Sequence, residues 1–311
     1  MNKNICLGIL ISLALAASAT AQGNPEDGFE PLFNGRDLTG WEQAQGFVVE
    51  DGAILTRGAE AGDLYTREAY GNYILRFDYM LSEVGNSGVF VRSDQTEREA
   101  GFEVQLLAPW TPYRDDLHCT GSLYGHVPVI SRPDESTDVW HAMEIVLDRD
   151  TVIVSVDGKA VTWAQTGQVE SLEAKALKGR IGLQGNHSDP EQWVRFKNVR
   201  LRNLDADVQY VLGGFGRSEP QIRKATREAA VALGGAAIPG LCQLMASTDP
   251  VGPSAARDAL FDIAALATAP DFSPDTRRAM GETLAGERDK AESVEVKSYL
   301  RWLGGLLSAG N

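Results

Sequence analysis

Between Phe47 and Leu201 the chain falls into about ten short runs rich in β-branched and aromatic residues, with no helical periodicity between them. They are Phe47 to Val49, Ala53 to Thr56, Tyr73 to Leu81, Ser87 to Arg92, Phe102 to Leu107, Ala142 to Leu147, Val152 to Val156, Lys159 to Trp163, Arg180 to Gln184 and Val194 to Leu201. Gly, Asp, Asn or Pro bounds each of them. Tyr73, Leu75, Phe77, Tyr79 and Leu81 alternate with polar residues, as in a half-buried strand, and Asp157-Gly158 is a two-residue hairpin signal. Short strands in close succession predict an antiparallel sandwich or jelly roll.

After Leu204 the apolar period changes. Ile222, Ala225, Thr226, Ala229, Ala230 and Leu233 follow helical spacing, Gly234-Gly235 stops that helix, and Pro239 opens a second whose stripe is Ile238, Leu241, Cys242 and Met245. Further helices run through Ala256, Leu260, Ile263, Ala264 and Ala267, then Met280 and Leu284, then Val296, Tyr299, Leu300, Leu303 and Leu307. The spacing from Arg223 to Met245 resembles one HEAT-type repeat, so residues 205–311 read as a short helical stack of two or three degenerate units. Such a stack offers a surface for a protein partner or for self-association rather than catalytic groups. No histidine falls within it.

The first residues have one Lys, an apolar run from Ile5 to Ala17 and the small-residue end Ala19-Thr20-Ala21. Residues 1–21 therefore read as a secretory signal peptide cut after Ala21, residues 22–28 as a polar leader, and the mature protein as exported to the periplasm or beyond. The run is too short to span a bilayer, and no later segment reads as membrane-inserted. Residues 22–204 carry 17 basic and 29 acidic side chains, a net charge of −12. That charge excludes nucleic acid and anionic glycans as partners, and suits a neutral or cationic ligand. Only Cys119 and Cys242 follow the leader, in different regions, so neither a disulfide framework nor a cysteine metal site is expected.

The densest polar constellation lies between Asn86 and Leu107. Alternation puts Phe102, Val104 and Leu106 on one face of their strand and Glu103 and Gln105 on the other, while Phe90 and Arg92 share a face of the strand before. An arginine, a carboxylate and an amide converging over an aromatic floor would suit a sugar. The same alternation also describes a solvated strand face, with Arg92 and Glu103 merely paired across it.

Several stretches resemble the 3-keto-disaccharide hydrolase domain family. They are Leu32-Phe33-Asn34-Gly35-Arg36-Asp37-Leu38-Thr39-Gly40-Trp41, Gly62-Asp63-Leu64-Tyr65-Thr66, Asn86-Ser87-Gly88-Val89-Phe90-Val91-Arg92, Gly101-Phe102-Glu103-Val104-Gln105, Thr120-Gly121-Ser122-Leu123-Tyr124-Gly125, Gly179-Arg180-Ile181-Gly182-Leu183-Gln184 and Val194-Arg195-Phe196-Lys197-Asn198-Val199. The resemblance spans residues 29–204 and implies a concanavalin-like jelly roll. The family's Trp-Asn is here Trp140-His141, its Asn-Gly hairpin is Asp157-Gly158, and its Gln-x-His is the longer Gln184-Gly185-Asn186-His187.

A retaining glycosidase needs two carboxylates about 5 Å apart. Here the strand reads Glu103-Val104-Gln105-Leu106-Leu107, with one carboxylate. The resemblance implies a different reaction. A 3-ketone acidifies the C2 hydrogen, one base removes it, and the enolate expels the C1 group, with a lyase or hydrolase outcome decided by whether water then adds. The expected roles are His187 or Glu103 as base and Arg92 or a bound cation as ketone polariser. Gln105, Gln184, Tyr124 and Asn86 would orient hydroxyls, and Trp41 would stack on a sugar face unless, like Tyr124, it belongs to the core. His118 and His126 flank Tyr124 on a loop as candidate base, ligand-binding or metal-binding groups, and His141 reads as structural. No histidine spacing marks a metal site, so a divalent cation stays open. A non-catalytic carbohydrate-binding module is the alternative reading, and a conventional glycoside hydrolase the third.

Overall fold

The structure is a computed structural model that describes residues 26, 28–42, 44–57, 62–94, 96–110, 114–185 and 191–309. The expected signal peptide, most of the leader, and His187 lie outside the described residues.

Two antiparallel sheets pack face to face. The larger contains β1 (Glu30–Pro31), β2 (Phe47–Glu50), β3 (Ala53–Arg57), β5 (Tyr73–Leu81), β8 (His141–Asp148), β9 (Thr151–Val156), β10 (Lys159–Gln165) and β12 (Trp193–Asn203). The smaller contains β4 (Leu64–Tyr70), β6 (Asn86–Ser93), β7 (Phe102–Leu107) and β11 (Gly179–Leu183). The larger runs β10-β9-β8-β5-β12-β3-β2, with β1 against β12, and the smaller runs β4-β11-β6-β7. This is the antiparallel jelly-roll sandwich expected from the strand pattern. β5 shows why: Tyr73, Leu75, Phe77, Tyr79 and Leu81 are all buried in the core, while the residues between them are partly exposed.

β4 is absent from the strands legible in the sequence. It is an edge strand whose second half, Arg67-Glu68-Ala69, is exposed, so its alternation fades where β11 is displaced by a bulge against it.

The helical region has a six-residue turn α1 (Val208–Gly213) followed by α2 (Pro220–Leu233), α3 (Ile238–Met245), α4 (Gly252–Ala267), α5 (Pro274–Lys290) and α6 (Val294–Ala309). Its core is separate and is built from the predicted stripes, among them Ile238, Leu241, Ile263, Leu284 and Leu303. Gly234 takes a φ of +56° where α2 ends, on the positive side that a residue without a β-carbon reaches at little cost. Residues Pro220–Met245 are apolar and long enough to pass for a membrane span by composition. The run is broken at Gly234, and Ile222, Ala230, Ile238 and Leu241 are buried in the helical region.

A polar network ties the two regions together. Asn72, in the β4–β5 turn, donates through Nδ2 to Asp205 Oδ1 at 2.7 Å and through its backbone N–H to Asp205 Oδ2 at 2.9 Å. Arg149, in the β8–β9 hairpin, donates to Tyr210 O at 2.8 Å and lies 4.2 Å from the Tyr210 ring centre, while Tyr210 donates its hydroxyl to Asp148 Oδ1.

Candidate active site

Register across the smaller sheet places the site. One rung pairs Leu64, Leu183, Val89, Val104 and Leu123 in turn, all of them in the core. Directly opposite residues of an antiparallel pair share a face. The next rung therefore faces outward, and it reads Tyr65, Gly182, Phe90, Glu103 and Tyr124. The fifth member comes from a loop that lies against β7, where Tyr124 N donates to Glu103 O at 2.9 Å.

Glycine makes this rung possible at two places. Tyr65 and Phe90 are near-parallel, with ring centres 6.1 Å apart on either side of Gly182, where a β-carbon would stand 2.6 Å from Tyr65 Cε1. Gly88, one outward position along β6, leaves the space that the Glu103 carboxylate fills.

Glu103 is consequently the one acid of its strand, seated over Gly88 and largely desolvated. Burial raises its pKa to about 8, while the nearby Arg98 guanidinium pulls the other way, Asp63 raises it further, and Gln184 favours the anion. Its Oε1 and the Gln184 side-chain oxygen are buried acceptors with no hydrogen-bond partner among the described residues. Gln105 donates to Asn86 Oδ1 at 3.0 Å just beyond. Two orphaned acceptors beside a polar row suit a ligand rich in hydroxyl donors.

The arginine at this site is not the expected one. Ile181 faces both Val91 and Arg92 across a bulge, and Arg92 has a φ of +51°, which breaks the alternation and turns its side chain off the Phe90 face. Arg92 is 1% exposed, and its guanidinium donates to Gly71 O at 3.0 Å, Arg149 O at 2.8 Å and Asn72 Oδ1 at 3.2 Å. Arg92 is thus a structural pin that joins β6 to the network between the two regions. The cation beside Glu103 is Arg98, whose guanidinium carbon lies 4.5 Å from the Phe90 ring centre and which forms an ion pair with Asp63. Arg98 opens a single 3₁₀ turn, Arg98–Ala100, between β6 and β7, too short to show a periodicity in the sequence. Asp63 lies within the Gly62-to-Thr66 stretch that carries the family resemblance, but nothing in its spacing assigned it a partner.

Trp41 also differs from its expected role. It is 1% exposed, donates Nε1–H to Leu32 O at 2.7 Å and packs in the core, where no sugar reaches it. Tyr124 is 44% exposed and lies on the site face. His118 accompanies it, edge-on to its ring at 4.9 Å, with Nδ1 bonded to Asp115 Oδ1 at 2.7 Å. His126 bonds Ser171 Oγ through Nδ1, and burial holds its pKa low. His141 is buried in β8 and bonded on both nitrogens, to Asp157 Oδ2 and Ser136 O, as a structural histidine would be.

Asp63 is a second carboxylate near Glu103, but the Arg98 guanidinium and the Gly185 N–H already occupy it. Among the described residues no group of three His, Cys, Asp or Glu could hold a metal ion. Cys119 and Cys242 are buried free thiols, pushed by burial up to about 11 and about 12, and so are poor nucleophiles.

The sequence profile of the 3-keto-alpha-glucoside-1,2-lyase-like domain matches residues 28–202, more than half of the chain. The chain belongs to this family. It is 20% identical over 234 residues to the 3-keto-disaccharide hydrolase of Bacteroides thetaiotaomicron, a match spanning 58% of this chain and 79% of that one. A provisionally assigned glycosyl hydrolase from Parabacteroides distasonis shares the fold with a TM-score of 0.52, 21% identity, and coverage of 57% of this chain and 99% of that one. A second structure from the same organism matches with a TM-score of 0.49 at 24% identity, covering 57% and 94%. The family points to a carbohydrate-acting, hydrolase-like function. The matched part is the sandwich that carries Glu103.

Proposed function

We propose that this chain cleaves 3-keto-glycosides, with Glu103 as the base that removes the C2 proton. The observation that carries the reading is the Glu103 carboxyl itself: alone on its strand, seated over Gly88, desolvated, and raised to about 8. A carboxylate of that basicity is better matched to a hydrogen α to a ketone than an ordinary one. The C2–H electron pair moves into the ketone to form an enolate on O3, and Arg98, held over Phe90, is the cation available to that oxygen. Collapse of the enolate forms the C1–C2 double bond and expels the C1 group. Addition of water across that bond gives the hydrolytic product, and its absence gives the lyase product.

Gln184, Gln105 and Asn86 supply amides for the remaining hydroxyls, and the orphaned acceptors gain donors from them. Double displacement at an unoxidised glycoside is disfavoured, because Asp63, the candidate second carboxylate, is engaged by Arg98. With residues 1–21 read as a signal peptide, the substrate would be met outside the cytoplasm.

The test is cleavage of a 3-keto-disaccharide beside its unoxidised parent, with Glu103→Gln and His187→Ala measured in parallel. The expected result is turnover of the keto sugar alone, lost in Glu103→Gln. Loss confined to His187→Ala would transfer the base to that residue. Binding of both sugars without turnover would make the sandwich a carbohydrate-binding module.

A further inference from the structure

The groups around Glu103 have an order that matches the order of carbons in a 3-keto-glycoside. Phe90 lies one strand to one side of Glu103 and Tyr124 one strand to the other. Neighbouring strands are about 4.8 Å apart. Arg98 stands over Phe90, and the His118 ring lies edge-on to Tyr124 at 4.9 Å. Cation, carboxyl and imidazole therefore follow one another along the rung, as the ketone at C3, the acidic hydrogen at C2 and the leaving oxygen at C1 follow one another along the sugar.

The elimination needs what the imidazole can give. An alkoxide or sugar oxide is a poor leaving group, so the C1–O bond breaks readily only when a proton arrives on that oxygen. His118 Nδ1 is held by Asp115 Oδ1 at 2.7 Å, which fixes the ring and leaves Nε2 to face another partner. Asp115 is itself held low, first by its bond to His118, so it stays an anion able to support an imidazolium.

We propose that His118, oriented by Asp115, is the general acid that protonates the C1 leaving oxygen. The inference rests on the reading of Glu103 as the C2 base. Glu103 takes the C2 proton, and the enolate pair forms the C1–C2 double bond. The C1–O bonding pair leaves with oxygen, and His118 Nε2 delivers its proton to that oxygen, ending as neutral imidazole. Exchange with solvent then removes the proton from Glu103 and restores the one on His118, with no oxidant or reductant required.

The experiment compares two 3-keto-α-glucosides that differ only in leaving group: the methyl glycoside, which needs the proton, and the 4-nitrophenyl glycoside, which does not. Each variant is scored by the ratio of its two kcat/KM values, which does not depend on how much of the protein is folded. For His118→Ala the expected loss is about 100-fold or more on the methyl glycoside and no more than a few-fold on the nitrophenyl one. Asp115→Asn should move the ratio in the same direction by a smaller factor. An unchanged ratio in His118→Ala, whether both activities fall together or neither falls, overturns the assignment while leaving the Glu103 reading intact. Failure of the unsubstituted enzyme on both glycosides overturns the Glu103 reading and this inference with it.

Discussion

A β-carbon on Gly88 would overlap the Glu103 carboxylate, so the missing side chain in β6 is what gives the acid in β7 its seat. Gly88→Ala should therefore leave the sandwich folded, because the atom displaced is the free end of a flexible side chain. Displacing the carboxylate by about 1 Å should lower kcat/KM on a 3-keto-glycoside about 100-fold. Steady-state kinetics with a melting curve as control checks this; unchanged kinetics would show that the seat has no catalytic weight.

The pH profile follows from the same acid. Burial is the main cause of its raised pKa, with Asp63 adding and Arg98 opposing. A base must be ionised, so kcat/KM on the 4-nitrophenyl glycoside, which needs no proton from His118, should rise with pH through about 8 before levelling. Arg98→Gln removes the favourable cation and should move that limb to higher pH while lowering its plateau. A limb near 4.5 in the unsubstituted enzyme would contradict the assignment of Glu103 as base.

Stability should carry the mirror image of that profile. The folded pKa of Glu103 lies above its unfolded value, so the protonated acid is tolerated below about pH 4.5 and the fold loses stability as pH rises through about 8. Glu103→Gln removes this loss. The substituted protein should melt close to the parent at pH 5 and several degrees above it at pH 9, as read by calorimetry.

Arg92 should behave as a pin. Arg92→Ala strands the acceptors Gly71 O, Arg149 O and Asn72 Oδ1, a loss of about 3 kcal/mol in unfolding free energy. Denaturant titration measures the loss. The kcat of the molecules that remain folded should stay within about threefold of the parent, an outcome that a ketone-polarising role for Arg92 could not produce.

Gly182→Ala would press a methyl against the Tyr65 ring, 2.6 Å from Cε1, and lever Tyr65 away from Phe90. Overpacking of this kind costs about 1–3 kcal/mol. Because Phe90 supports Arg98, the expected kinetic signature is a raised KM together with a reduced kcat.

Much of the architecture could be read from residue order alone, for reasons visible in individual elements. Tyr73 to Leu81 is legible because one face is buried and one wet, Asp157-Gly158 because its turn needs those residues, and Gly234 because the helix end requires its φ. The edge strand β4 was not legible, since its exposed half has no reason to alternate. Of the residues named from sequence, the structure brings Glu103, Gln105, Gln184, Asn86 and Tyr124 to one outer face or its rim, with His118 beside Tyr124. Arg92 and Trp41 were misplaced. The alternation rule assumes an extended backbone, and a left-handed residue at a bulge exchanges the two faces without leaving a trace in composition. For Trp41, a core aromatic and a sugar platform are the same letter. Arg98 and Asp63 stayed hidden because an ion pair between loops 35 residues apart has no periodicity.

The alternation of β7 has one more consequence. Phe102, Val104 and Leu106 fill the core while Glu103 and Gln105 face out, so sliding the strand by one residue would drive two polar side chains into oil and expose three apolar ones. Such a chain would not persist as a folded but inactive impostor. The sandwich thus proofreads its own chemistry: a molecule that has survived folding has, by that fact, already aimed its acid.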